Sequence, residues 1–192
     1  GESIFNLGIL AIFIHDSSWG KRSRRDERSF LEIVKRWRER GINVYVIERS
    51  PSLQDAYFGK KIYMHIPIPD FYQQAQVSKL SILSRFLIKI IYLMYIIYKL
   101  RKNINVIYIY NQDFFNLLYG LISLLITGKP MIIVVQSVQD FKYSSHQLIK
   151  MYGLVSVIDK IIVLLHRILG KLIIRLATVI FTPSKTLKDE IR

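Results

Sequence analysis

The chain of 192 residues contains no cysteine. This absence excludes disulfide scaffolds, thiolate metal sites and cysteine nucleophiles, and it fits a reducing compartment. Acidic side chains are scarce: 14 aspartates and glutamates stand against 28 lysines and arginines, for a formal net charge of +14. The simplest interpretation of this excess is a solvated surface without a specific partner. The alternatives are anionic lipid headgroups, the phosphates of a small ligand, or nucleic acid.

Long uncharged apolar runs are also lacking, although hydrophobic residues make up 51% of the chain. Segments 86–100 and 161–176 are both interrupted by cations, and the longest uncharged run, 114–128, contains asparagine and glycine. A spanning helix needs roughly 20 apolar residues. We therefore expect no spanning helix, while a helix lying on a membrane surface stays open. No charged-then-apolar leader follows Gly1, so we expect no signal peptide.

Several motifs that mark familiar sites are missing. The absence of G-x-G-x-x-G and of G-x-x-x-x-G-K-[ST] excludes a dinucleotide fingerprint and a P-loop. The absence of G-x-S-x-G excludes the usual hydrolase arrangement. The four histidines show no H-x-x-x-H or H-E-x-x-H spacing, so we expect no metal site. An RNP pattern, a helix-turn-helix and basic clustering on one element are lacking too, so nucleic-acid binding ranks last among the candidate functions.

What is present is an alternation of strand-like and helix-like segments. Apolar segments at 3–14, 42–48, 61–66, 104–110, 131–136 and 178–182 are typical of strands, and helical patterns follow most of them. Most of these strands are apolar on both faces, which is typical of a parallel sheet covered on both sides. We predict one domain over residues 1–192 with a Rossmann-like, doubly wound α/β fold. Its sheet of about six parallel strands has the order 3-2-1-4-5-6, with helices on both faces.

Local signals predict where several elements begin and end. A first helix is indicated by apolar residues at i, i+3, i+4 and i+7, namely Phe30, Ile33, Val34 and Trp37. Ser23 and Asp26 have the spacing of a capping box upstream of it, and Gly41 is placed to end it. Pro67 is predicted to stop the third strand, and Pro183 to open a final helix.

Ligands of open parallel sheets bind beyond the carboxyl ends of the strands. This rule selects the polar loops at 15–20, 67–70, 111–113 and 136–140. The first loop combines serines, Gly20 and Lys21 ahead of a helix N-terminus, which suits a phosphate-bearing ligand; an ordinary basic loop is an equal alternative. His15, beside Asp16, could act as a base held by a carboxylate, although a capping or loop role is the simpler interpretation.

Four segments together carry a family resemblance over essentially the whole chain. They are the Gly20 loop with its helix ending in RERGINVYVI, VIYIYNQ at 106–112, VVQSVQDF at 134–141, and LATVIFTPSKTLKDEI at 176–191. In this order they resemble the N-terminal, acceptor-side domain of the family 4 glycosyltransferases, which have the GT-B architecture. Ser184 matches the family's helix-opening serine, and Thr178 stands where the family typically has Asp. Gln139 stands where the family has a His facing the donor sugar; Gln can hydrogen-bond a sugar hydroxyl but cannot shuttle a proton.

The resemblance implies a hexosyltransferase-like enzyme that moves a sugar from a nucleotide-sugar donor to a lipid-linked, glycan or membrane-proximal acceptor. It implies a substrate wall formed by His15, Gly20, Lys21, Asn111, Gln139 and Asp140. It assigns no catalytic residue, and it implies no bound cofactor and no metal, since the nucleotide sugar is a co-substrate.

Family members also carry a second Rossmann-like domain with an E-x7-E motif that binds the nucleotide sugar. We expect that domain to be absent from this chain, which then holds half of an enzyme. The alternative is a non-catalytic, membrane-docking subunit of a split transferase; a basic nucleic-acid-binding protein ranks below both. The basic surface and apolar helices suit a cytoplasmic protein attached peripherally to anionic lipid on the cytoplasmic membrane face. Tyr92, Tyr95 and Tyr98 fit core or interface packing better than base stacking.

Overall fold

In the computed structural model, residues 7–13, 21–48, 64–67, 79–110, 114–135 and 157–182 are described. They form six strands and four helices that alternate along the chain, except between the second and third strands, where residues 49–63 lie outside the described residues. The elements are β1 (Gly8–Ile12), α1 (Lys21–Glu39), β2 (Asn43–Glu48), β3 (Met64–Pro67), α2 (Lys79–Leu100), β4 (Val106–Ile109), α3 (Phe114–Thr127), β5 (Met131–Val134), α4 (Val157–Leu176) and β6 (Val179–Phe181). The predicted polar loop at 137–147 and the helix after Pro183 lie outside the described residues.

The six strands form one sheet in the order β3-β2-β1-β4-β5-β6, and every pairing is parallel. At the centre, Ile12 of β1 lies opposite Ile47 of β2 on one side and Ile109 of β4 on the other. The chain therefore builds outward from β1 in one direction and then restarts beside β1 in the other. The predicted fold class and strand order are confirmed.

The side chains of β1 alternate between two apolar layers, as successive residues of a strand must. Leu10 and Ile12 belong to the layer that α2, α3 and α4 cover, whereas Ile9, Ala11 and Phe13 belong to the layer that α1 covers. Helices thus cover both faces, because neither face of the sheet is polar enough to meet water.

Helix α1 shows the predicted amphipathic pattern. Phe30 and Val34 are fully buried, and Ile33 and Trp37 pack against the same layer. The predicted capping box is wrong: α1 begins at Lys21, so Ser23 and Asp26 lie inside the helix. Arginine and lysine are good helix formers, and they extend the helix past the expected cap. Gly41 ends the helix as predicted, with a φ of 77° that glycine adopts without strain.

Strand β3 lies at an edge of the sheet and contains Pro67 as its last residue, paired with Glu48. The predicted strand ended at residue 66, before Pro67, whereas the observed strand includes Pro67 as its last residue. An edge strand has one side without a neighbour, so a proline that lacks an N–H fits there without losing a ladder hydrogen bond.

Two close approaches fix the centre of the sheet. The Gly8 N–H donates to Oδ1 of Asn105 at 2.8 Å, and the Asn105 N–H donates to the Gly8 carbonyl oxygen at 2.8 Å. A side chain at Gly8 would collide with the backbone carbonyl of Asn103. In the same way, a Cβ at Gly120 of α3 would collide with Cδ1 of Ile109 at the end of β4. Gly8 thus allows two backbone segments to approach closely, and Gly120 allows α3 to approach the side chain of Ile109.

Candidate functional site

The carboxyl ends of β1 and β4 mark the point where the strand order reverses. In open α/β sheets this point opens a crevice that holds ligands. Here β1 ends at Ile12 and β4 at Ile109, and these two residues lie opposite each other in the ladder. Since β5 pairs with β4, the carboxyl ends of three strands share one edge within about 10 Å, at a strand spacing of about 4.8 Å.

The residues at the ends of these strands are anchored by backbone hydrogen bonds. The Phe13 N–H donates to the carbonyl oxygen of Ile47 at 3.1 Å, and the Tyr110 N–H donates to that of Ile12 at 3.4 Å. The Val135 N–H donates to the carbonyl oxygen of Phe181 at 2.9 Å. The three loops that follow β1, β4 and β5 therefore leave the sheet from adjacent, fixed positions.

The predicted wall residues follow these positions in the sequence. His15 comes two residues after Phe13, Asn111 directly after Tyr110, and Gln139 four residues after Val135. Of the six predicted substrate-binding residues, Lys21 alone falls within the described ranges, as the first residue of α1, and its side chain is not described. His15, Gly20, Asn111, Gln139 and Asp140 lie outside the described residues. Their placement stays a prediction, but the strands that precede them, β1, β4 and β5, end at the same edge of the sheet.

An aromatic cluster lies beneath the first and fourth strand ends. Phe13 stacks on Phe30 of α1 at 4.4 Å between ring centroids, and Tyr110 meets both rings edge-on at 5.5 and 5.4 Å. All three side chains are buried. Such pairs contribute about 0.5–1.5 kcal/mol each beyond their buried area. Sequence reasoning missed this cluster, whose only signal is an aromatic residue directly after each of two strands.

Tyr108 continues the cluster along β4 and meets the ring of Trp37 edge-on at 4.9 Å. Burial raises the pKa of the Tyr108 hydroxyl well above its ordinary value, and the neighbouring Tyr110 raises it further. Tyr108 therefore stays protonated at neutral pH and performs no acid–base chemistry there.

Two helix N-termini meet the same edge, because each helix of a parallel βαβ unit runs back from the carboxyl end of its strand. Helices α1 and α3 begin at Lys21 and Phe114, and neither has an acidic residue in its first turn. The positive end of a helix dipole favours anions and disfavours cations. Nevertheless, α1 opens with Lys-Arg-Ser-Arg-Arg. This concentration of positive charge suits a phosphate-bearing ligand.

In the part of the chain that the structure describes, no group of three or more potential metal-ligating side chains occurs. His166 lies on α4, half-buried, with its ring edge-on to Phe114 at 6.4 Å between centroids.

Comparison with known proteins identifies a similar fold. No family model and no curated protein matches the sequence. Among solved structures, the chain is similar to CalG4, the calicheamicin glycosyltransferase, with a TM-score of 0.50 and 14% sequence identity. The match covers 96% of this chain and 44% of that one, so this chain spans less than half the length of CalG4. At this identity the likeness shows the fold alone: a Rossmann-like α/β domain similar to one half of the GT-B architecture.

The structure also tests whether any described helix could span a membrane. Within the described ranges, no helix combines the length and the apolar character that crossing a membrane requires. The sequence-based expectation of no spanning helix is confirmed for these residues.

Proposed function

We propose that this chain is the N-terminal, acceptor-side half of a family 4 glycosyltransferase. The complete enzyme moves a sugar from a nucleotide-sugar donor to a lipid-linked or membrane-proximal acceptor. The observation that carries the proposal is the strand order, with its crevice between β1 and β4, in a chain that matches 44% of a GT-B glycosyltransferase over 96% of its own length. The motif-bearing segments at 106–112 and 134–141 begin in β4 and at the end of β5, two strands that end at that same edge of the sheet.

The chemistry assigned to this half is positioning. In glycosyl transfer the oxygen of an acceptor hydroxyl bonds to the anomeric carbon while the bond from that carbon to the donor phosphate oxygen breaks. The nucleoside diphosphate leaves, and the hydroxyl proton passes to its phosphate oxygen or to solvent. Lys21 and the N-terminus of α1 supply positive charge for the leaving phosphate. Asn111, Gln139 and Asp140 supply hydrogen-bonding groups for sugar hydroxyls. Holding both reactants in line accounts for much of the catalysis in such reactions.

The nucleotide sugar is clamped from the opposite side by a second Rossmann-like domain outside these residues. No resident metal or cofactor is assigned, since the donor brings its own leaving group. The protein is assigned to the cytoplasmic face of the membrane, where a lipid-linked acceptor and a soluble nucleotide sugar meet.

The test compares this chain alone with the chain joined to a nucleotide-sugar domain. Calorimetry with uridine and guanosine diphosphate sugars is expected to give weak or absent binding for residues 1–192, because one wall of the cleft is missing. Transfer of radiolabelled sugar to a membrane lipid extract is expected only when the second domain is supplied in cis or as a partner. Robust transfer by the isolated chain would contradict the assignment of half a site.

Gln139→Ala and Gly20→Ala in the completed enzyme sharpen the test. Both positions follow strand ends in the sequence, so turnover should fall more than the free energy of unfolding. Lys35→Ala, on the exposed side of α1, is the control and should leave turnover unchanged.

The second candidate is a non-catalytic subunit that docks on a membrane and presents an acceptor to a partner chain. Gln139 favours this alternative, because it replaces a proton-carrying histidine of the family with a residue that cannot carry a proton. The two candidates differ in outcome: turnover of the assembled enzyme should be insensitive to Gln139→Ala if this chain only docks, and sensitive if it lines the donor site.

A further inference from the structure

The two faces of the sheet are covered by helices of different character. Thirteen of the sixteen large apolar side chains that are exposed among the described residues lie on α2, α3 and α4. Helix α1, on the opposite face, contributes none from its described side chains and presents charged residues to water. Exposed apolar area concentrated on one face marks an interaction site.

On α2 the exposed apolar residues form a stripe. Leu87, Ile91, Tyr95 and Tyr98 follow the spacing of one helical face, and each is more than half exposed. The opposite stripe of α2, which contains Leu93 and Ile97, packs on the sheet with at most 1% exposure. Helix α2 therefore has an inner apolar face that is covered and an outer apolar face that is open.

Helix α4 repeats this arrangement on the far side of α3. Ile161, Leu165, Ile168 and Leu172 are 40–56% exposed and follow one helical face, while Ile173 is fully buried against the sheet. Helices α2 and α4 each pack against α3. Their outer stripes consequently belong to one continuous surface, which we call the α2–α4 surface.

Nearly all the charged residues around this surface are basic. Residues 79–110, 114–135 and 157–182 contain eleven lysines and arginines and one acidic residue, Asp159. Helix α1, by contrast, has eight basic and four acidic residues. On α4, exposed Lys171 and Arg175 each follow an exposed apolar residue by three positions, so they lie on the same face. An anionic partner complements this surface.

Tyrosine and cation pairs add a second signature at the end of α2. Nζ of Lys99 lies 4.7 Å from the ring centroid of Tyr95, and Cζ of Arg101 lies 3.7 Å from that of Tyr98. Tyrosines with an apolar ring and a polar tip favour membrane–water interfaces, and long cationic side chains reach from apolar surface to headgroups. Of the core or interface packing expected for Tyr92, Tyr95 and Tyr98, the core part is wrong, because each side chain is more than half exposed; packing at an interface stays a prediction.

We propose that the α2–α4 surface docks in the plane of an anionic membrane, with the Leu and Ile side chains below the headgroups and the lysines and arginines among the lipid phosphates. Apolar residues flanked by Lys and Arg define interfacial helices. The core of a protein–protein interface, by contrast, is depleted of lysine. The proposal deepens the proposed function, because a lipid-linked acceptor would be reached from this surface, but its test measures lipid binding and not sugar transfer.

The absence of cysteine makes the first test direct, since one introduced cysteine gives one labelling site. Ile91→Cys and Ile168→Cys place an environment-sensitive fluorophore on the α2–α4 surface, and Lys35→Cys places it on α1. With vesicles of phosphatidylcholine and phosphatidylglycerol, we expect blue-shifted emission at positions 91 and 168 and unchanged emission at 35. Shifts at all three positions, or at none, would overturn the proposal. A concentration-dependent shift without vesicles would also overturn it, in favour of a second copy of the chain.

The second test separates this surface from the overall charge of the protein. The pair Lys99→Glu and Lys171→Glu and the control pair Lys35→Glu and Arg40→Glu change the net charge equally, all at exposed positions. Each cation near an anionic surface contributes to attraction, so we expect the first pair to weaken partitioning on the order of tenfold or more and the control to do so far less. Binding should also fall with salt, because the screening length is ~10 Å at about 0.1 M. Equal losses in both pairs, or equal binding to pure phosphatidylcholine, would refute the assignment.

Discussion

The contact between Gly120 and Ile109 offers a direct test of how α3 is seated on β4. Gly120 lies on the buried side of α3, and a Cβ built there would collide with Cδ1 of Ile109 and crowd its Cγ1 at 3.1 Å. Ile109 is fully buried and is the last residue of β4, two residues before Asn111 in the sequence. Gly120→Ala therefore forces Ile109 to move, and Ile109→Val removes the colliding atom.

The expected magnitudes follow from two opposing effects. Overpacking a core by one methyl group destabilises by about 1–3 kcal/mol, while replacing a helical glycine by alanine stabilises by about 1 kcal/mol. Gly120→Ala should thus destabilise by roughly 0–2 kcal/mol. Ile109→Val alone should destabilise by about 0.5–1.5 kcal/mol. In the double variant the new methyl occupies the vacated space, so its stability should lie near that of the unchanged protein.

Urea denaturation of the four proteins in this cycle measures the coupling free energy between the two positions. We expect the double variant to be more stable than the sum of the single changes predicts, by about 1–2 kcal/mol. Ile133→Val, in the equally buried neighbouring strand β5, is the control and should combine additively with Gly120→Ala. Additivity at Ile109 within about 0.5 kcal/mol would refute the close packing described here.

Two further predictions concern β1 and β4. Asn105→Ala removes the side-chain acceptor of the Gly8 N–H and should destabilise by about 1–3 kcal/mol, whereas Asn105→Asp keeps an acceptor and should destabilise less; urea denaturation measures both. Because burial raises the folded-state pKa of Tyr108, this tyrosine ionises first in the unfolded chain, near pH ~10, and its ionisation there favours unfolding. Stability should therefore fall above that pH by at most about 1.4 kcal/mol per unit for this group, and Tyr108→Phe should remove this loss in denaturation series across the alkaline range; an unchanged slope would contradict it.

The sheet was predictable because the apolar residues of each strand segment indicate a strand that is covered on both faces. Segments such as 42–48 and 104–110 are apolar on both faces and are separated by helix-length patterns, which restricts the topology to a doubly wound parallel sheet. The face that α1 buries was equally readable, since Phe30 and Val34 recur on one side of an otherwise charged helix. Where a pattern contrasts two faces, sequence alone assigns them.

The outward face of α2 was not predictable for the opposite reason. A helix that is apolar nearly all round is expected to be buried nearly all round, so nothing separates Leu93, which packs on the sheet, from Tyr95, which does not. The aromatic cluster of Phe13, Phe30 and Tyr110 was hidden because its members lie far apart in sequence and meet only through the β1–β4 pairing. For the predicted wall residues, the structure shows the ends of the strands that precede them, and the placement of His15 and Gln139 stays a prediction.

The central position of β1 has a consequence for synthesis of the chain. Strand β1 is made first, yet one of its two partners, β4, is completed only at Ile109, 61 residues after β2 ends at Glu48. At ribosomal rates of 5–20 residues per second, one edge of β1 stays open for roughly 3–12 s after β2 is complete. During that interval an apolar strand edge is exposed to other nascent chains. The hydrogen bonds between Gly8 and Asn105 close this edge from its N-terminal end as soon as β4 emerges.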